Sequence, residues 1–107
     1  MELEGLIENL STISDLYAKR FAIERTPDWY LIKIQEELGE LSSAYLKMSG
    51  RARVNDESND KLRKNLEDEL ADVLAMTLLF AKSQGVDPSK AIQKKWYKYL
   101  EAAKENT

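Results

Sequence analysis

Apolar residues recur at steps of three and four along almost the whole of this 107-residue chain, and the runs are broken only where proline or glycine intervenes. Leu3, Leu6, Leu10, Ile13, Tyr17 and Phe21 follow the helical period, and nothing alternates at the period of a strand. Thr26-Pro27-Asp28 restarts a helix: Thr26 is an N-cap residue, Pro27 suits the first helical position, and Asp28 favours the positive end of the dipole. Gly50 and Gly85 stop the second and third helices, and Asp87-Pro88 opens a fourth that carries Ile92, Trp96, Leu100 and Ala103 on one face. The pattern predicts a single all-α domain over residues 1–107, a bundle of four helices at about 3–25, 27–49, 60–84 and 88–104. Residues 51–59 are polar and aperiodic, the one long connection. From Val73 to Ala81 the third helix is apolar on most sides, which suits a central helix or one shared with another subunit.

Composition narrows the chemistry. With no cysteine and no histidine, disulfides, thiolate metal sites and imidazole bases are all excluded, so catalysis must run on carboxylates, amines and hydroxyls. A net charge of −3 with scattered basic residues argues against a nucleic-acid polymer as partner. No apolar run approaches the ~20 residues of a membrane helix, and the acidic start, Met1-Glu2-Leu3-Glu4, is unlike a signal peptide. The expected compartment is the cytoplasm.

Two acidic clusters stand out against this background: Glu36-Glu37-Leu38-Gly39-Glu40 in the second helix and Glu69-Leu70-Ala71-Asp72 in the third. Residues three apart on a helix share a face, so Glu37 with Glu40, and Glu69 with Asp72, form two carboxylate pairs. Glu37 lies between Ile34 and Leu41, and Glu69 between Leu66 and Val73, on stripes that should face the core. Buried carboxylates require cations, donors or metal. None of the five acids has Lys or Arg three or four residues further on, so the expectation is that no cation in the same helix compensates them. Gly39 inside a helix costs about 1 kcal/mol relative to alanine and is expected to open space beside the acids. A structural polar network is one reading and a metal site the other. For a metal, four carboxylates without His or Cys select Mg²⁺, or Mn²⁺, over Zn²⁺ or Cu²⁺, and Mg²⁺ in turn favours a phosphorylated substrate. A ferritin-like di-iron centre would need Glu-x-x-His pairs, which a chain without histidine lacks.

The pair Glu36-Glu37-x-x-Glu40 and Glu69-x-x-Asp72, followed by Val73-Leu74 and a helix opening Asp87-Pro88, resembles the MazG-like all-α nucleoside triphosphate pyrophosphohydrolases, relatives of dCTP pyrophosphatases, dimeric dUTPases and phosphoribosyl-ATP pyrophosphohydrolases. The resemblance extends from about Trp29 to Leu100. It implies Mg²⁺-dependent hydrolysis between the α- and β-phosphates of a nucleotide, giving a nucleoside monophosphate and pyrophosphate, and a homo-oligomer, dimer or tetramer. By position it implies Glu37, Glu40, Glu69 and Asp72 as metal ligands, Glu36 as the carboxylate that activates water, and Lys95 as a phosphate contact. Arg51 and Arg53 are candidate lid residues, and Trp29 and Tyr30 are candidates to stack on a base. Tyr99 stands where the family often carries an asparagine, a departure at the usual sugar or base contact that makes it a further candidate. Nucleotide-pool house-cleaning is the leading role. A phosphoribosyl-ATP pyrophosphohydrolase of histidine synthesis and a non-enzymatic helical metal-binding adaptor are the alternatives.

Overall fold

The computed structural model describes residues 2–105, which form four α-helices in the order α1 (Leu3–Phe21), α2 (Pro27–Met48), α3 (Asn59–Ser83) and α4 (Pro88–Glu105), with no strand among the described residues. The helix ends follow from local chemistry. Gly50 and Gly85 take positive φ, 76° and 66°, the left-handed conformation that lets a chain leave a helix without a Cβ clash. Ser58 caps α3 by accepting a hydrogen bond from the Lys61 N–H at 3.2 Å, and Asp87 caps α4 through the Lys90 N–H at 3.1 Å. Thr26 sits at the N-cap of α2 in extended conformation, but its hydroxyl makes no capping bond.

The first helix ends four residues before the expected Arg25. Ala22 adopts φ 53°, and the N–H groups of Ala22 and Ile23 both close back on the Ala18 carbonyl. Arg25 then folds back over α1, donating to Ser14 Oγ and to Asp15 Oδ1, each at 2.8 Å, which holds the turn that redirects the chain into α2.

Helix α3 is central. It packs antiparallel along α2, with Glu69 level with Glu40 and Leu62 level with Lys47, and its C-terminal half lies against α1, where Lys82 pairs with Glu8 at 3.0 Å. Ile7, Ala18, Tyr30, Ala44, Leu62 and Leu79 are buried, but no described side chain is sealed completely. Helix α4 buries none of its residues. The Cα radius of gyration, 17.3 Å, exceeds the ~13 Å of a compact chain of this length because α4 stands away from the other three helices.

Candidate metal and phosphate site

The α2–α3 pairing brings acids from both clusters together. One carboxylate oxygen from each of Glu37, Glu40 and Glu69 lies within 4.8 Å of the others. Glu37 and Glu69 are half-buried, since they occupy the apolar stripes by which the two helices pack. In each, Oε2 is buried with no hydrogen-bond partner among the described residues. A buried acceptor left unpaired is costly, and three oxygens spaced this way from two helices are what a hard cation takes as ligands. Asp72 is exposed and stands outside that triplet.

The electrostatics follow from the crowding. Burial pushes the Glu37 carboxyl up to about 7, with further contributions from Glu40 and Asp72 and an opposing one from Lys33. Glu69 is raised too, first by burial, then by Glu40, Asp72 and Asp68. Without a cation Glu37 is therefore partly protonated near neutrality.

Lys33 corrects the expectation that no cation in the same helix compensates these acids. It lies three and four residues before the cluster, ion-pairs with Glu36 and approaches Glu37 Oε1 to 3.8 Å. Its amine is raised above the ordinary lysine value, chiefly by the hydrogen bond to Glu36. The signal was present in the sequence, but on the N-terminal side of the acids. Glu36 itself faces outward, 54% exposed. Gly39 is exposed, and a Cβ there would meet nothing within 4 Å, so the space it opens is not space within this chain.

Beside the triplet, a cavity of about 350 Å³ runs between α2 and α3, lined by Glu40 and Glu69 at one end and by Ser43, Ala44, Lys47, Leu62 and Asn65 beyond them. Sequence reasoning missed Lys47 and Asn65, because which residues of α3 face which of α2 depends on helix register. Asn65 also donates to Glu57 Oε2 at 3.1 Å, tying the 49–58 connection to α3.

The remaining candidates lie apart from the triplet. Arg51 stacks over Tyr45, 5.5 Å from the ring centre, and donates to Ser49 Oγ at 3.1 Å; Arg53 is exposed in the same loop. Trp29 is half-buried edge-on to buried Tyr30, with ring centres 5.1 Å apart. Lys95 and Tyr99 are exposed on α4, where Tyr99 packs edge-on to Trp96 and under Lys98.

No curated protein and no solved structure matches the chain. The family model of the MazG nucleotide pyrophosphohydrolase domain matches residues 25–105, a span that takes in α2, α3, α4 and both acidic clusters and leaves out α1. With more than half of its length matched, this chain belongs to the MazG nucleotide pyrophosphohydrolase domain family.

Proposed function

We propose that the protein is a Mg²⁺-dependent nucleotide pyrophosphohydrolase that cleaves between the α- and β-phosphates and releases a nucleoside monophosphate and pyrophosphate. The observation that carries this reading is the pair of buried, unpartnered oxygens, Glu37 Oε2 and Glu69 Oε2, beside Glu40 in a member of this family. Glu37, Glu40 and Glu69, joined by Asp72, would hold Mg²⁺, with Mn²⁺ as a substitute. When bound, the ion neutralises phosphate charge and lowers the pKa of water.

The chain's own groups supply the rest. Glu36, next to the triplet in sequence but outward-facing in the isolated chain, is our candidate proton acceptor: as a water oxygen bonds to the α-phosphorus, its proton passes to the carboxylate and the α–β bridging bond breaks toward pyrophosphate. Lys33 orients the Glu36 carboxylate through its ion pair. We assign Arg51 and Arg53 to close over phosphates from the loop, and Trp29 and Tyr99 to stack on a base. Lys95 stands on a helix that buries nothing of its own chain, so its phosphate contact is assigned to a homo-oligomer in which α4 is covered. The exposed apolar groups that such an assembly would cover include Leu74 on α3 and Trp96 on α4, 56% and 60% exposed. Among the described residues, no helix is long and apolar enough to cross a membrane. A cytoplasmic house-cleaning role on surplus or non-standard nucleotides fits this chemistry.

The test is pyrophosphate release from a panel of nucleoside triphosphates and phosphoribosyl-ATP in Mg²⁺, run in ¹⁸O-labelled water. Label in the monophosphate alone is expected. Label in pyrophosphate or orthophosphate refutes attack at the α-phosphorus, and release from none of the panel refutes the reaction.

A further inference from the structure

We infer that Lys47 is a phosphate-binding residue, holding the leaving pyrophosphate of the substrate in the cavity between α2 and α3. Lys47 lies seven residues beyond Glu40 on α2, two helical turns or about 10 Å along the same face, and lines the same cavity as Glu40 and Glu69. It is half-buried, yet its ammonium makes no ion pair or hydrogen bond among the described residues, unlike Lys33, which is engaged by Glu36 at the other end of the cluster. A flexible cation that lines a cavity with two carboxylates and pairs with neither remains available for a third anion.

The cavity's lining decides which part of a nucleotide that anion belongs to. No aromatic residue borders it; beyond the carboxylates it offers the Lys47 amine, the Ser43 hydroxyl and the Asn65 amide over Ala44 and Leu62. Such a lining suits phosphate oxygens better than a nucleobase, which takes apolar and aromatic walls. At about 350 Å³ the space is at the small end for ligand sites, in keeping with a diphosphate rather than a whole nucleotide. The arrangement sorts charge along one groove: two acids at one end, an amine two turns away. The competing role for Lys47 is complementing the C-terminal dipole of α2, whose last turn it occupies.

This assignment rests on the proposed pyrophosphohydrolase reading, and calorimetric binding of inorganic pyrophosphate in Mg²⁺ separates the two. The wild-type protein is expected to bind pyrophosphate. Lys47→Met should weaken that binding roughly 10- to 100-fold, the worth of one charge-assisted hydrogen bond, while Lys47→Arg stays within a few-fold of wild type. Mn²⁺ binding in the absence of pyrophosphate should be the same in all three proteins. Pyrophosphate affinity unchanged in Lys47→Met, including the case where only the melting temperature drops, overturns the assignment in favour of the dipole role, as does a wild type that binds no pyrophosphate. A wild type that hydrolyses no nucleotide but binds pyrophosphate through Lys47 defeats the reaction and leaves this residue's role standing.

Discussion

Helices α3 and α4 both carry apolar residues that call for cover, but of the two only α3 buries any of them within its own chain. Packed between α1 and α2, α3 buries Leu62 and Leu79 and carries Glu69 into a half-buried position against α2. Helix α4 presents Ile92, Trp96 and Leu100 on one side, all about half exposed or more, and buries none of its residues. An apolar stripe therefore states that a face is to be covered but not by what. The Glu37, Glu40 and Glu69 triplet forms within what one chain packs, whereas the apolar side of α4 is left uncovered by its own chain.

The largest effect that tests this division is at the cluster. Glu40→Gln and Asp72→Asn should each lower nucleotide hydrolysis by at least about a hundredfold, since losing even outer partners of a metal site costs up to that much. Helical circular dichroism should be unchanged, and the metal-free melting temperature should hold or rise because like-charge repulsion is relieved. Undiminished turnover of both variants at saturating Mg²⁺ would remove the metal assignment.

Next comes the assembly. Light scattering at micromolar concentration should report at least twice the 12.3 kDa of one chain, and Trp96→Glu should shift the population toward that single mass. A folded, active 12.3 kDa species would instead make α4 a free helix and erase the contrast with α3.

How much was readable in advance tracks how local each cause is. The ends of α2 and α3, and the start of α4, were visible because Gly50, Gly85 and Asp87 act within a few residues of themselves. The end of α1 was not, because its left-handed residue is an alanine, which does not advertise the conformation, and the turn is held by Arg25 reaching back to Ser14 and Asp15. The same-face placement of Glu37 with Glu40 follows from helical geometry alone. That Glu69 joins them while Asp72 stays exposed depends on the register of α3 against α2, which no single-helix pattern specifies. Lys33 is also a local cause, but it precedes the acids, so the residues that follow them do not reveal it.

A smaller, directional effect concerns pH. Burial raises Glu37 from 4.5 to about 7 and raises Glu69 in the same direction, so the metal-free folded protein keeps protons that the unfolded chain releases. The associated stability is present below about pH 4.5 and is lost as pH rises through 7. The melting temperature of chelator-treated protein should fall between pH 5 and 8, and Mg²⁺ should oppose the fall because it binds the ionised acids. A metal-free profile that is flat or rising would mean that the α2–α3 seam is wetter than its packing implies.

The smallest effect is at the turn after α1. Ala22 sits at φ 53°, where a side chain is strained and glycine is not. Ala22→Gly should stabilise the protein by about 0.5–1 kcal/mol in denaturant titration. A loss of stability would show that backbone freedom in the unfolded chain outweighs the relieved strain.

The fold-back of Arg25 also bears on how the chain resists cleavage. The Ala22–Thr26 link is the shortest path between α1 and the matched domain, and an arginine in an extended link is where trypsin would be expected to cut. Here that guanidinium is held by Ser14 and Asp15 and its side chain is only 21% exposed, whereas Arg53 lies open in the 49–58 connection. Limited digestion should therefore sever α2 from α3 first and leave α1 and α2 together as one fragment, although α1 lies outside the family's span and the cut falls within it.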